Sequence, residues 1–215
     1  MEVAGQSMNT WGIVVAAGSG SRFGGDKHAA ILGGVPLWRW AERLFAEVGL
    51  DGVVLVGDVP AGIPGGARRQ DSVAAGLAAI PNSADIILVH DAARPLASKG
   101  MVCRLLEALA AIGEVAGAVP AVPIRDTIKR VSGNEIKETI DRAHLVAVQT
   151  PQAFKGEALR TAHAQITSDV TDDSAMVEAI GGKVLVVDGE PRNIKVTFAA
   201  DLAMAESLLT EESRR

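Results

Sequence analysis

Short, unbroken runs of aliphatic and β-branched residues recur along this 215-residue chain, with room for a helix between successive runs. They are Gly12–Ala16, Gly52–Val56, Asp85–Val89 and Val115–Val119, with a later one at Lys183–Val187. A strand with one wet face alternates apolar and polar residues. These runs do not alternate, so both of their faces must be covered. Amphipathic segments at Pro36–Val48, Asp71–Ile80 and Ser98–Ile112 separate them, and further helices are predicted at Gly156–Gln165, Thr171–Ile180 and Ala199–Leu209. Met101, Leu105, Leu106 and Leu109 recur at helical spacing and read as core. Repeated strand–helix order requires right-handed crossovers. It predicts a Rossmann-like, three-layer α/β fold with a mostly parallel sheet. The length fits one domain over residues 1–215.

One stretch breaks the pattern. Ala121–Arg142 reads as two extended segments around a Ser132-Gly133-Asn134 turn, the pattern of a hairpin. Its polar, β-branched composition offers little core, and an isolated hairpin is marginal in water. The expectation is a protruding arm that packs on a second subunit.

In sheets of this kind ligands collect beyond the carboxyl ends of the strands. The first run empties into Ala16-Ala17-Gly18-Ser19-Gly20-Ser21-Arg22, with Lys27 close behind. Small residues let backbone N–H groups approach phosphate oxygens, and Arg22 and Lys27 supply positive charge, so the loop predicts a polyphosphate site. It is not a dinucleotide fingerprint. Phe23 stands where the third glycine of GxGxxG belongs, Gly24 and Gly25 are out of register, and Asp58 is poorly placed to bind a ribose. Nor is there a GxxxxGK[ST] loop. A glycine-rich turn with solvated cations is the plain alternative.

Leu88-Val89-His90-Asp91-Ala92-Ala93-Arg94-Pro95 falls on the same predicted edge. A carboxylate directly after a buried strand is well placed to hold a divalent cation that bridges phosphates. Arg94 can pair with Asp91 or bind an anion. Against this, Asp91 could cap the helix near Ser98, and His90 reads as a satisfied core histidine. Asn193-Ile194-Lys195-Val196-Thr197 places a lysine inside an apolar β-like segment, which is costly unless an anion or carboxylate meets it. Lys195 is therefore a candidate phosphate ligand. In Arg68-Arg69-Gln70-Asp71-Ser72, either Asp71 or Ser72 could cap a helix whose N-terminus suits an anion or a base edge. Val170-Thr171-Asp172-Asp173-Ser174 is a similar capping-like cluster.

Composition removes several classes. A net charge of −5 argues against a broad nucleic-acid surface, and 3% aromatics with no tyrosine against base-stacking platforms. No apolar run approaches the roughly 18 residues of a membrane span. MEVAGQSMNT lacks the basic start and apolar core of a signal peptide, and the single cysteine, Cys103, suits a reducing cytoplasm. No zinc spacing, GxSxG or Cys–His pairing suggests another chemistry.

Taken in order, AAGSGSRFGGDK, RRQDSV, HDAARP, PIRDTIKR, TIDR, TPQAF, VTDDS and NIKVT resemble the 2-C-methyl-D-erythritol 4-phosphate cytidylyltransferases of the non-mevalonate isoprenoid pathway. The resemblance runs from about Trp11 to Leu209. It implies a nucleotidyltransferase sheet with an arm that exchanges contacts across a homodimer. By position it assigns Ala16, Ala17, Gly18, Gly20, Arg22 and Lys27 to CTP, with Gly66 and Ser72 at the cytosine. Asp91 matches the carboxylate near Mg²⁺ and substrate, with Arg94 beside it. Thr171 and Lys195 match residues around the methylerythritol phosphate, and Thr127 and Arg142 those that reach the neighbouring subunit's site. Asp26-Lys27-His28 departs from the family's Pro-Lys-Gln, and Ala67 replaces a common acidic residue.

The implied reaction is in-line attack of a phosphate monoester oxygen on the α-phosphorus of CTP, with Arg22, Lys27 and Lys195 around the reacting phosphate. That oxygen is already ionised at neutral pH, so no general base is required. Competing readings are a ribitol 5-phosphate cytidylyltransferase, a nicotinamide-dependent oxidoreductase on a Rossmann sheet, and a non-catalytic nucleotide sensor.

Overall fold

The computed structural model describes residues 2–3, 6–18, 23, 30–111 and 113–212. Gly20, Arg22, Asp26, Lys27 and His28 of the first loop lie outside the described residues. The strands are β1 (Glu2–Val3), β2 (Gln6–Ser7), β3 (Thr10–Val15), β4 (Ile31–Leu32), β5 (Val35–Pro36), β6 (Gly52–Val56), β7 (Ile86–Asp91), β8 (Val115–Pro123), β9 (Ile128–Ser132), β10 (Glu135–Ile140), β11 (Val146–Val148), β12 (Gln152–Lys155) and β13 (Lys183–Asp188). The helices are α1 (Leu37–Val48), α2 (Arg69–Ala79), α3 (Lys99–Ala111), α4 (Gly156–Gln165), α5 (Asp173–Ala179) and α6 (Ala199–Glu212).

Every residue of β7 is buried. Ile86 and Leu88 pack into one apolar cluster with Trp38, Leu44 and Phe45 of α1 and Val102, Leu105 and Leu109 of α3. Ile87 and Val89 pack on the opposite face with Val73 and Leu77 of α2, Leu159 and Ala162 of α4, and Met176 and Val177 of α5. That double cover is why the run does not alternate. Its four aliphatic side chains contribute on the order of 8 kcal/mol of gross burial energy, before chain entropy is set against it. Helix α6 lies outside these layers, over a smaller cluster of Leu32, Leu37, Leu96, Val196 and Ala205.

The main sheet has the order β11-β8-β12-β7-β3-β6, with β13 also on β8. Strand β3 runs parallel to β6 and β7, and β13 parallel to β8. Strand β12 is antiparallel to both β7 and β8, and β11 to β8. The sheet is therefore mostly parallel, but β12 is a reversed strand wedged into its centre, where the sequence predicts no strand. Its Gln152-Ala153-Phe154-Lys155 is short and lacks β-branched residues, so only tertiary pairing defines it. Gly117 makes room for it: a Cβ there would stand 2.4 Å from Phe154 Cδ1.

The predicted arm needs a correction at its base. Ala121–Pro123 belongs to β8 of the main sheet, and the free hairpin is β9 and β10 alone. Gly133 sits at φ +56° in the turn, a conformation glycine adopts without penalty. Val131 and Ile136 face each other across the ladder and stand 59% and 60% exposed.

Helix starts shift by local capping. Asp71 Oδ2 accepts from the Arg68 backbone N–H at 3.0 Å, so α2 begins at Arg69. Asp172 Oδ1 accepts from Ala175 N–H at 3.1 Å, so α5 begins at Asp173. Ser98 Oγ caps α3 through Met101 N–H at 3.1 Å, leaving Asp91 no capping role there. The Asn193–Thr197 segment is not a strand. It is moored by Val196 N–H to Ala93 O at 2.8 Å. No described helix is long and apolar enough to cross a membrane.

Candidate active site

Strands β3 and β7 end side by side, with Val15 opposite Asp91 and Ala92 N–H bonded to Val15 O at 3.0 Å. The small-residue loop and the HDAARP segment thus leave the same sheet edge, as their positions after strands predict. Asp91 is buried there, and both of its oxygens meet cations. Oδ2 accepts from Lys195 Nζ at 2.7 Å and Oδ1 from Arg69 Nε at 3.0 Å. Burial alone would raise its pKa, but Arg69 and Lys195 outweigh that and hold the carboxyl well below the usual carboxylate range. Lys195, by contrast, leaves 43% of its side chain exposed, so its ammonium can still meet a ligand. The expected reason for a lysine in an apolar segment is met by Asp91.

Arg69 continues the chain of charges inward. Its Nη1 donates to Asp173 Oδ2 at 2.7 Å, and Asp173 Oδ1 pairs with His163 Nε2 at 3.0 Å. Asp173 is fully buried. Burial would raise its pKa, but Arg69 and then His163 lower it on balance. Neither Arg69 nor His163 is legible as a site residue in sequence. Arg69 belongs to a basic pair beside a helix start that suits an anion or a base edge, but its partners are two carboxylates that lie 22 and 104 positions away.

His90 is a core histidine, but only half satisfied: its Nε2 is buried with no hydrogen-bond partner among the described residues. It is buried, with Nδ1 2.9 Å from Thr150 Oγ1, which also accepts from Asp91 N–H at 3.1 Å. Burial, aided by Arg94 and Arg69, pushes its pKa down to about 4 against the pull of Asp91. Arg94 hydrogen-bonds neither Asp91 nor any other carboxylate. It donates through Nη1 to Asn193 O at 2.8 Å and through Nη2 to Val148 O at 3.4 Å, tying the Lys195 segment to β11.

A pocket of about 450 Å³ opens beside the β3 loop, lined by Ala17, Gly57, Asp58, Val59, Gly62, Pro64, Gly65 and Gly66. The two loops approach closely here, since a Cβ on Gly65 would fall 2.3 Å from Ala17 Cβ. Ser72 Oγ accepts from Gly66 N–H at 3.1 Å and donates to Arg68 O at 3.2 Å, fixing one wall. Gly66 and Ser72 therefore do adjoin Ala17. Thr171 is exposed just ahead of α5. Thr127 and Arg142 are exposed at the foot of the hairpin, where Arg142 Nη1 donates to Ile124 O at 3.3 Å.

The family model for 2-C-methyl-D-erythritol 4-phosphate cytidylyltransferase, IspD, matches residues 11–211. The chain belongs to this family. It is 39% identical to the enzyme of that description from Prochlorococcus marinus, covering 92% of this chain and 96% of that one. It is also 42% identical to a bifunctional IspD/IspF enzyme of Nitratidesulfovibrio vulgaris over 93% of this chain, and spans only 58% of that relative's length. Among solved structures, the family's enzyme from Thermus thermophilus superposes with a TM-score of 0.79 at 33% identity, covering 92% of this chain and 98% of that one. The nucleotidyltransferase sheet expected from the motifs is borne out.

Proposed function

We propose that this chain transfers the cytidylyl group of CTP to 2-C-methyl-D-erythritol 4-phosphate, a step of non-mevalonate isoprenoid precursor synthesis in the cytoplasm. The observation that carries the reading is the Asp91–Lys195 pair at the end of β7, beside the small-residue loop and its pocket. In the proposed reaction a phosphate oxygen of the substrate attacks the α-phosphorus in line, the bond to the bridging oxygen breaks, and pyrophosphate leaves. Lys195 Nζ neutralises charge on the phosphates while Asp91 Oδ2 fixes its position. Arg22 and Lys27 are assigned to the triphosphate, with Ala16, Ala17, Gly18 and Gly20 giving it backbone room. Gly66 and Ser72 adjoin the pocket proposed for the base, and Arg94 and Thr171 are assigned to the substrate side.

The donor set suits an Mg²⁺ ion carried in on the nucleotide. Arg69 and Lys195 already hold both oxygens of Asp91, and no group of three or more His, Cys, Asp or Glu able to hold a metal occurs among the described residues, so phosphate oxygens would hold most of its shell, with a remaining lone pair of Asp91 as the protein's share. When bound, the ion offsets charge developing on the phosphates.

The arm is proposed to form a homodimer in which Thr127 and Arg142 reach the other subunit's site. The uncovered Val131 and Ile136 support this. Sedimentation of the double variant Val131→Glu/Ile136→Glu should give a monomer; an unchanged dimer sinks the arm's role. For the reaction itself, pyrophosphate release is measured with CTP and each of the two alditol phosphates. Turnover favouring methylerythritol phosphate is expected. A clear preference for ribitol 5-phosphate would overturn the substrate assignment.

A further inference from the structure

Arg69 bridges two carboxylates held by different parts of the fold, Asp91 at the tip of β7 and Asp173 at the first residue of α5. We propose that Arg69 is a positioning residue for cytidylyl transfer: anchored by Asp173 and His163, it fixes the Asp91 carboxylate so that Lys195 is met by one oxygen only. This rests on the reading of Lys195 as a phosphate ligand.

A carboxylate at the end of a strand can turn about its last bond and offer both oxygens to one ammonium. Here Arg69 Nε occupies Oδ1 at 3.0 Å, which leaves Oδ2 for Lys195 at 2.7 Å. Lysine carries three donors on a flexible stem, so a single-point contact leaves protons for a phosphate, whereas a two-oxygen embrace would draw the ammonium back toward β7. Arg69 cannot follow a turning Asp91, because its other arm is tied to Asp173. That anchor is rigid: Asp173 is fully buried, and His163 from the last turn of α4 closes on its second oxygen at 3.0 Å. A planar guanidinium can span both acids, whereas the compact ammonium of a lysine serves only one. Arginine is therefore specifically required.

The test is a double-mutant cycle on kcat, read by pyrophosphate release. Arg69→Lys should lower kcat by about 10²-fold while KM for CTP stays within a few-fold, since a misplaced group costs turnover rather than nucleotide binding. Combined with Lys195→Ala, it should cost nothing beyond Lys195→Ala alone, because both changes act through the same ammonium. Multiplying losses overturn the proposal, as does an unchanged kcat in a variant that melts like the parent. If Arg69→Lys melts early, Arg69→Met with Asp173→Asn, which neutralises the anchor as a unit, takes its place in the cycle under the same expectation. Should Lys195→Ala turn over like the parent, the site reading itself fails, and the positioning role with it.

Discussion

Asp173 and Arg69 pair with one side chain wholly buried and the other three-quarters buried, whereas Arg130 and Glu138 of the hairpin pair at 2.9 Å with more than half of each side chain in solvent. The distances are similar and the consequences are not. In the interior each charge depends on its partner, because water cannot replace it; on the hairpin water replaces either one at once. The end of β7 is thus held rigid by its charges. The hairpin takes little from its own, and with Val131 and Ile136 uncovered it has to find apolar cover elsewhere.

Asp173→Ala should break this contrast hardest. It leaves Arg69 in the interior with half its partners, and urea unfolding should show a loss of about 3–5 kcal/mol. Lys195→Ala acts on turnover as well: kcat should fall by about 10²–10³-fold, the effect of removing one donor from a developing negative charge, and melting should fall too, since the buried Asp91 is left with Arg69 alone. A smaller effect belongs to His90. Its folded pKa of about 4 lies below the ordinary histidine value, so between pH 6.5 and 4 the unfolded chain binds a proton that the folded chain refuses. Stability therefore falls with falling pH in that window, by up to about 1.4 kcal/mol per unit. His90→Gln should flatten that slope, and an unchanged slope would mean that His90 is protonated in the fold. Least of all, Arg130→Ala should change stability by about 0.5 kcal/mol or less; a loss several times larger would mean that the hairpin's surface charges are not merely solvated.

The same contrast explains what the sequence made legible. The sheet strands β3, β6, β7, β8 and β13 were readable to within a few residues, because each is a continuous apolar run; of these only β7 is buried throughout, and β13 leaves Val186 59% exposed, so its run overstated its cover. The hairpin was readable from its turn and β-branched residues. Asp91 and Lys195 stood out because each is polar where its neighbours are apolar. Strand β12 did not, since four residues without a period are strand only by virtue of β7 and β8 on either side. Arg69, Asp173 and His163 were hidden for a related reason. Asp173 reads as part of a capping-like cluster and Arg69 as a cation beside a helix start, and their joint meaning with His163 exists only once α2, α4 and α5 share one layer.

Lys195 meets Asp91 across 104 positions, and Asp173 meets Arg69 across another 104. A chain emerging from the ribosome can therefore lay down β3, β6 and β7 and bury much of their apolar surface while the charges at their tips remain unmatched. The pocket lined between residues 17 and 66 can exist early. The Asp91–Lys195 pair cannot exist until residue 195 has been made. During synthesis the sheet edge and its pocket therefore precede the ion pair at their mouth, and a chain cut short after α5 would present a finished-looking edge whose buried Asp91 has lost Lys195.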